Sequence, residues 1–355
     1  MIHIVHFRPN PGGIELLMPK IIRALQQYQF QVFVIRPAYK DKPDVYTNQD
    51  DIVVNYGSDN IFLAYVRLFL YALKHRDDIF HLHNAGPFVL LLLRFTGIKK
   101  IVYSIRGTKY WKKPWQKGMR KFSWRLGLGK KVRIIANSEF SRSVFLKEVS
   151  NRYPVQVVYN PIYNSDQLSS KPKNSPDKEI RIIYAGRLVK GKNLHKWLDM
   201  AAAIKKVIRN ARFEIYGDGP LRNELMAYSE KLKLNSLVDF MGFTKDISSA
   251  YSQADLMIFL SEYESFGNVV VECVLSGTPV IASAIPSMKE IFRNFPDFLV
   301  ELDDNLEENV LKKVEKLDQL KTKLPELMEE FKARFSMKKH IQKLDTIYNS
   351  FNHKA

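Results

Sequence analysis

The chain of 355 residues contains a single cysteine, Cys273, so it can form neither an internal disulfide nor a zinc site built from several cysteines. Its longest apolar stretches, residues 61–73 and 86–93, fall short of the roughly 20 apolar residues that a membrane-spanning helix needs. The first residues, MIHIVHFRPNPGG, lack the basic, apolar and small-residue segments of a signal peptide. We therefore expect a protein of a reducing compartment, the cytoplasm, without a transmembrane helix.

Acidic residues are scarce in the first half of the chain. Residues 1–170 hold 26 Lys/Arg against 11 Asp/Glu, whereas residues 171–355 hold 29 against 26. Most of the net charge of +18 therefore belongs to the first half. This asymmetry indicates an anionic partner for that half, which could be nucleic acid, a membrane surface or a phosphorylated acceptor.

Short β-branched runs alternate with helical patterns, which predicts parallel sheets covered by helices on both faces. A polar segment rich in Ser and Pro, residues 164–178, interrupts this alternation and is the predicted linker. We predict two Rossmann-like doubly wound α/β domains, at 1–163 and 179–335, followed by a C-terminal helix at 336–355 that packs back on the first domain. The predicted strands are 2–7, 30–35, 51–56, 79–83, 100–105, 132–137 and 155–160, then 180–186, 213–217, 237–242, 254–260 and 278–283.

Ligands bind such sheets at the carboxyl ends of the strands, where four loops stand out. Gly12 and Gly13 follow the first strand and either bring backbone N–H groups to an anion or only form a tight turn. Arg187 and Lys192 follow the first strand of the second domain, where they either bind a diphosphate or are two solvated cations. The loop within residues 215–225 reads as an ordinary strand-to-helix connection that could line a base pocket.

The fourth loop lies in SEYESFGNVVVECVLSGTPVIASAIP, a largely apolar stretch in which Glu264 follows the strand and Glu272 lies within the predicted helix. If a helix begins near residue 266, Glu272 lies about 8 Å inside its mouth. The two carboxylates could then bind hydroxyl groups at the two ends of a ligand, with phosphate held by the N–H groups of Phe266, Gly267 and Asn268. In the alternative interpretation Glu264 caps the helix and Glu272 is a surface acid.

Together these segments resemble the retaining glycosyltransferases of family 4, whose GT-B fold consists of two Rossmann-like domains facing each other across a cleft. The resemblance is carried over about residues 1–300, in the family's order, by Glu264-x7-Glu272, GRLVKGKN, NPGG, ANSEFSR and VVYNPI. In GRLVKGKN, Asn193 replaces the final glycine of the family motif.

The resemblance implies a role for each residue of the second domain. Arg187 and Lys192 would hold the diphosphate of a nucleotide-sugar donor, and Glu272 would bind the ribose hydroxyls. Glu264 would contact the donor sugar as a catalytic residue, while the backbone at 266–268 would bind sugar and phosphate.

In the first domain the resemblance implies that the Gly12–Gly13 loop closes over the diphosphate. Many relatives carry a His-Gly pair where this chain has Arg106 and Gly107. An arginine is always charged, so Arg106 could stabilise a phosphate or orient an acceptor but could not act as a general base near pH 7. We predict Arg106 as a second catalytic residue. His83 is predicted to bind the acceptor, with a structural role as the alternative.

The chain has no Asp-x-Asp pair, and Glu262-Tyr263-Glu264 and Glu301-Leu302-Asp303 resemble one only loosely. This argues against a metal-dependent donor site, so we predict no metal and no cofactor besides the nucleotide sugar, most simply a UDP-sugar by family habit. Cations and helix dipoles would stabilise the leaving diphosphate. The donor phosphate would take the proton of the acceptor during transfer with retained anomeric configuration.

Residues 109–133 contain ten Lys/Arg, no acid and three of the four tryptophans. A surface of this composition can lie in the headgroup region of an anionic membrane. We therefore predict a peripheral enzyme at the inner face of the cell membrane that glycosylates a lipid-linked or lipopolysaccharide/polysaccharide acceptor. The alternatives are a solvated basic helix with its aromatic side chains in the core, and nucleic-acid binding, which no recognition motif supports. The predicted membrane-facing residues are Trp111, Lys112, Lys113, Trp115, Arg120 and Lys121.

Two further functions remain compatible with a GT-B fold. The first is a nucleotide-sugar epimerase, against which the order of the motifs argues. The second is a non-catalytic module that binds a nucleotide sugar, against which the presence of all four charged donor-site residues argues.

Overall fold

The computed structural model describes residues 1–9, 13, 15–39, 44–47, 49–83, 85–108, 116–129, 131–162, 179–244 and 246–352. The chain divides into two compact units, of which unit 1 comprises Met1–Pro161 with Met337–Ala355 and unit 2 comprises Ile162–Ser336. The predicted linker at 164–178 lies outside the described residues.

Strands and helices alternate along both units. Unit 1 contains β1 (Ile2–His6), α1 (Met18–Ala24), β2 (Phe30–Val34), β3 (Val53–Tyr56), α2 (Ile61–Lys74), β4 (Ile79–His83), α3 (Pro87–Phe95), β5 (Lys100–Ile105), α4 (Gln116–Gly127), β6 (Val132–Ala136), α5 (Glu139–Glu148) and β7 (Val155–Val157). Unit 2 contains β8 (Ile180–Ala185), α6 (Leu194–Val207), β9 (Ala211–Tyr216), α7 (Arg222–Lys231), β10 (Val238–Gly242), α8 (Ile247–Gln253), β11 (Leu256–Phe259), α9 (Asn268–Leu275), β12 (Val280–Ser283), α10 (Pro286–Ile291), β13 (Leu299–Val300), α11 (Leu306–Glu315) and α12 (Leu317–Phe335). The last helix, α13 (Met337–Asn349), belongs to unit 1.

The sheet of unit 1 has seven strands in the order β3-β2-β1-β4-β5-β6-β7, and every pair is parallel. Strands β1 and β4 are buried at every residue, as expected for a parallel sheet covered on both faces. Helices α2 and α3 contribute buried side chains to one core, and α1 and α13 contribute them to the other. The predicted doubly wound α/β fold is confirmed.

The sheet of unit 2 has six parallel strands in the order β10-β9-β8-β11-β12-β13. Four of them lie within the predicted strand segments, and β9 overlaps the segment 213–217 but begins two residues earlier, at Ala211. Strand β13 was not predicted, because two residues are too short to show an alternating pattern. The predicted strand at 254–260 is shorter in the structure, where β11 covers Leu256–Phe259.

Helix α13 packs on the sheet of unit 1, with Leu344, Ile347 and Tyr348 buried in the core that includes β1 and α1. The spacing of these residues places them on one face of the helix. The Tyr348 hydroxyl lies 2.7 Å from Nδ1 of His81, a buried residue of β4. Among the described residues, no helix combines the length and apolar character needed to span a membrane.

Candidate active site

The loops after β8 and β9 touch each other through their backbones in unit 2. A Cβ atom on Gly217 would lie 1.9 Å from the carbonyl oxygen of Gly186, and one on Gly219 would lie 2.3 Å from that of Leu188. Gly217 also has a φ of 131°, which side chains with a Cβ rarely adopt. The Gly-Asp-Gly sequence after β9 is therefore required for loop packing, and this contact positions the loop that carries Arg187 and Lys192.

The loop after β8 ends in a 3₁₀ turn, Lys190–Lys192, followed by Asn193 in the left-handed conformation with a φ of 54°. Asparagine tolerates this conformation better than other residues with a Cβ, which explains why it can replace glycine here. The turn is tied to the loop after β11, because the backbone N–H of Glu262 donates to the carbonyl of Gly191 at 3.0 Å.

Lys192 and Glu264 form an ion pair in which the Lys192 ammonium donates to Oε1 of the Glu264 carboxylate. Their side chains are only 17% and 18% exposed, so water screens the pair only in part. The ammonium nitrogen lies 5.5 Å from the centre of the Phe259 ring. Burial and the nearby Glu264 carboxylate raise the pKa of Tyr184, so its phenol stays neutral beside the pair.

Arg187 is exposed two residues after β8, and it forms no ion pair with any residue in the described part of the chain. Its guanidinium is therefore available to an anionic ligand. The two predicted diphosphate-binding cations thus differ, because Lys192 is already bound to a carboxylate and Arg187 is not.

Helix α9 begins at Asn268 after Gly267, which has a φ of 99° and takes the N-cap position without a side-chain cap. The interpretation of Glu264 as a helix cap is therefore wrong. Glu272 lies in the fifth position of α9, about 6 Å along the axis from Asn268. It is half-buried, and the Tyr251 hydroxyl lies 3.4 Å from its Oε2 in donor geometry.

Tyr251 is a functional candidate that sequence reasoning missed. Burial, together with the Glu272 carboxylate, raises the pKa of Tyr251 well above its usual value. The neutral phenol can therefore donate to Glu272 and fix the orientation of its carboxylate. No sequence motif marks this contact, because 21 residues separate its partners.

In unit 1 the carboxyl ends of β1, β4 and β5 bring His6, His83 and Arg106 together. Arg106 Nη2 lies 3.4 Å from His83 Nδ1, and Arg106 Nη1 donates to the side-chain oxygen of Asn160. The rings of His6 and His83 stack at 5.3 Å, and those of His81 and His83 lie 4.0 Å apart. The structure therefore joins two predicted site residues, Arg106 and His83, with two that were not predicted, His6 and Asn160.

The protonation of this cluster follows from burial next to a cation. Burial lowers the pKa of His83 well below 6.5, with His81 and Arg106 adding to the effect, and burial with Arg106 lowers that of His6 to about 3. Burial also lowers the pKa of Arg106 to about 10, although Glu15 opposes the shift, so the guanidinium stays charged at pH 7. With Nδ1 of neutral His83 facing the Arg106 donor, its proton resides on Nε2, which has no partner among the described residues.

The structure describes some of the remaining predicted residues and leaves others outside the described part of the chain. Gly13 lies in an exposed turn after β1, Phe266 is buried against Phe335, and Lys121 is exposed on α4. Arg120 lies on α4 as well. Trp124 of the same helix is buried against Tyr103 and Phe145, so the core-facing alternative holds for this tryptophan. The residues outside the described part of the chain are Gly12, Trp111, Lys112, Lys113 and Trp115.

Comparisons with known proteins match two glycosyltransferase families along the chain. The family "Glycosyltransferase Family 4" matches residues 11–165, and the family "Glycosyl transferases group 1" matches residues 165–341. An uncharacterized 41.2 kDa protein in the cps region of Klebsiella pneumoniae is 26% identical over 325 residues, which cover 85% of this chain and 87% of that protein. Several further relatives match over less than two thirds of their own length.

A relative with a named activity comes from Campylobacter jejuni. This N-acetylgalactosamine-N,N'-diacetylbacillosaminyl-diphospho-undecaprenol 4-alpha-N-acetylgalactosaminyltransferase is 27% identical over 262 residues, or 70% of this chain and 71% of that protein. Among solved structures, Anabaena Alr3699/HepE in complex with UDP and glucose superposes with a TM-score of 0.80 at 20% identity, covering 98% of this chain and 99% of that one. With the fold, the charged loops and both family matches in agreement, the chain belongs to the family 4 glycosyltransferases of the GT-B fold, of the bacterial polysaccharide type.

Proposed function

We propose that the protein moves a sugar from a UDP-sugar to a lipid-linked or polysaccharide acceptor, with retained anomeric configuration and without a metal ion at the donor site. The observation that carries this proposal is the half-buried Lys192–Glu264 pair, whose lysine lies on the same loop as the exposed Arg187. A donor diphosphate between Lys192 and Arg187 would receive two cations, which is enough charge to stabilise it as a leaving group.

The carboxylates then hold the two ends of the donor. Displacing Lys192 from Glu264 toward phosphate frees the Glu264 carboxylate for the sugar hydroxyls, while Glu272, oriented by Tyr251, binds the ribose. The helix mouth at Asn268 provides a positive dipole for the phosphate between them. The structure of Anabaena Alr3699/HepE with UDP and glucose supports uridine as the base.

In unit 1, Arg106 and His83 would act on the acceptor and on the developing charge. Arg106 remains a cation at pH 7, so it stabilises anionic oxygen and takes no proton. The Nε2–H of neutral His83 is a donor that can orient an acceptor hydroxyl. The proton of that hydroxyl passes to the leaving phosphate, so the reaction needs no side-chain base.

The test is a donor screen with purified protein and a membrane lipid extract as acceptor. Each nucleotide sugar is incubated with and without the extract, and products are identified by mass. Acceptor-dependent addition of one sugar supports transfer, whereas donor conversion without acceptor would identify an epimerase, and binding without turnover a non-catalytic module. NMR of the new linkage tests retention, and loss of transfer in a metal chelator would overturn metal independence.

A matched pair of variants ties the activity to the site. Glu264→Gln removes the charge that contacts Lys192. Glu262→Gln changes an exposed acid two residues earlier, and it keeps the hydrogen bond that the Glu262 backbone N–H donates to Gly191. We expect Glu264→Gln to abolish most transfer and Glu262→Gln to leave it unchanged. Equal rates in the two variants would exclude Glu264 as a catalytic residue.

Membrane association is part of the proposal and is supported by three helices of unit 1. Helix α2 packs against α3, and α3 packs against α4. Together these helices contain seven Lys/Arg and no Asp or Glu, so the charge of their surface complements an anionic lipid headgroup region. They also expose large apolar side chains: Phe62, Leu63, Val66, Leu70, Phe88, Phe95, Phe122 and Leu126.

We propose that the membrane-facing surface includes α2 as well as the predicted segment. The sequence of α2 alone does not indicate this, because its apolar residues also include the buried face that packs on the core. Phe62→Ser together with Leu63→Ser should release the protein from vesicles that contain phosphatidylglycerol, measured by sedimentation. Reversing the charges of Lys112, Lys113, Arg120 and Lys121 should have the same effect. Val207→Ser, an exposed apolar change in unit 2, is the control. Unchanged vesicle binding in both test variants would refute membrane association through this surface.

A further inference from the structure

A cluster of two histidines and an aspartate lies near the amino ends of β1 and β4, away from the residues of the candidate active site. His3 is the second residue of β1, His75 follows α2, and Asp78 directly precedes β4. The pairing of Ile2 with Ile79 across β1 and β4 brings the three together. His3 and His6 are three residues apart on β1, about 10 Å along the strand, so this cluster is separate from the His83–Arg106 group.

The ligand atoms of the cluster have the spacing of a metal site. Asp78 Oδ2 lies 3.0 Å from His3 Nε2 and 3.3 Å from His75 Nδ1, and all three atoms lie within 4.8 Å of one another. A tetrahedral zinc ion with ligands at about 2.0–2.2 Å has ligand–ligand separations of about 3.3–3.6 Å. The three atoms therefore need little movement to take three corners of a tetrahedron.

The hydrogen bonds around His3 leave the nitrogen that faces Asp78 as an acceptor. The Tyr71 hydroxyl donates its only proton to Gln31 Oε1 at 2.7 Å, so toward His3 Nδ1, also at 2.7 Å, it acts as acceptor. His3 Nδ1 therefore carries the imidazole proton.

In this tautomer the lone pair of His3 Nε2 faces the Asp78 carboxylate oxygen at 3.0 Å, and a cation between the two atoms would be bound by both. The chain Gln31–Tyr71–His3 also matches the way metal-binding histidines are oriented, with the second ring nitrogen donating to a fixed oxygen. Asp78 Oδ1 additionally accepts from the Met1 amino group at 3.3 Å, which holds the carboxylate in place.

We propose that His3 Nε2, His75 Nδ1 and Asp78 Oδ2 bind one divalent transition-metal ion, zinc above all, with water as the fourth ligand. Two imidazole nitrogens and one carboxylate suit zinc or cobalt better than magnesium or calcium, which prefer all-oxygen sites. His75 and Asp78 are each 26% exposed, which gives the ion an entry route and room for the water. The ion ties β1, α2 and β4 together and takes no part in sugar transfer.

The test uses full-length protein freed of metal with a chelator and then titrated with Co²⁺ and with Zn²⁺. We expect one equivalent of Co²⁺ to give the strong visible absorption of a four-coordinate site, and Zn²⁺ to displace it and raise the unfolding temperature. A wild-type protein that shows neither stoichiometric Co²⁺ absorption nor a Zn²⁺-dependent rise overturns the proposal by itself.

Variants assign the ion to this cluster. His75→Gln and Asp78→Asn change partly exposed ligands and leave the buried His3 intact, and both should weaken Zn²⁺ binding at least tenfold, measured by calorimetry. The control is His195→Gln, which alters an exposed histidine 3.0 Å from Glu224 in unit 2 and should bind Zn²⁺ as the wild type does. Wild-type affinity in both test variants, or an equal loss in the control, would place the ion elsewhere and refute the site.

Discussion

Replacing Lys192 by methionine removes the cation that Glu264 binds while keeping a side chain of similar length. The remaining carboxylate is 18% exposed, so water compensates it only in part. The cost should therefore lie between the 3–5 kcal/mol of a fully buried pair and the under 1 kcal/mol of an exposed one, at about 1–2 kcal/mol. For a unit of this size that corresponds to a fall of about 2–8 °C in Tm.

The effect on catalysis should be larger, because Lys192 is proposed to stabilise charge that develops on the leaving diphosphate. Removing one such donor typically lowers kcat by about 10²–10³. The double variant Lys192→Met/Glu264→Gln no longer holds an uncompensated carboxylate, so it should recover about 1 kcal/mol of stability without recovering activity. The opposite responses of stability and rate separate a structural ion pair from a catalytic one.

The assay combines urea denaturation followed by circular dichroism with the release of nucleotide diphosphate in steady state. Lys190→Met, in the same 3₁₀ turn but exposed, is the control and should change neither quantity. Equal stability of Lys192→Met and Lys190→Met, or a wild-type rate in the double variant, would refute the proposed role of Lys192.

Two further predictions concern stability. Gly217→Ala should destabilise unit 2 by about 3 kcal/mol, since its Cβ would meet the Gly186 carbonyl at 1.9 Å, whereas Gly191→Ala, with nothing within 4 Å, should change stability by less than about 0.5 kcal/mol in urea titrations. His6, with a pKa lowered to about 3 in the folded state, binds no proton between pH 6.5 and about 3, while the unfolded chain does. Its contribution to stability is therefore complete above pH 6.5 and is lost as the pH falls toward 3, by about 2 kcal/mol between pH 7 and pH 5. His6→Phe should flatten the pH dependence of unfolding by that amount, and an unchanged slope would show that His6 is not the group responsible.

The sequence predicted both sheets because their strands are apolar runs at regular intervals, a signal that depends only on local order. It also indicated Arg187, Lys192, Glu264 and Glu272, since each follows a strand end or opens a helix. It did not predict that Lys192 would bind Glu264, because that contact depends on how the loop after β8 folds onto the loop after β11. Contacts of this kind are set by tertiary structure and produce no periodic pattern in the sequence.

In unit 1, too, the sequence predicted individual residues but not the contacts between them. His83 and Arg106 were singled out separately, one from a strand end and one from a motif position. Their contact, and that of Arg106 with Asn160, follows from the order of β4, β5, β6 and β7 in the sheet. Tyr251 could not be found at all, since a tyrosine on a short helix is most simply explained as core.

The position of α13 has a consequence for how the protein is made. The ribosome synthesises all of unit 2 before it reaches Leu344, Ile347 and Tyr348. These residues complete the core on one face of the unit 1 sheet. The strands of unit 1 therefore keep apolar residues uncovered until α13 has been synthesised. A chain truncated after Ser336 would contain all of unit 2 but would lack the helix that completes the core of unit 1. We expect chaperones and proteases to bind the exposed apolar residues of its unit 1.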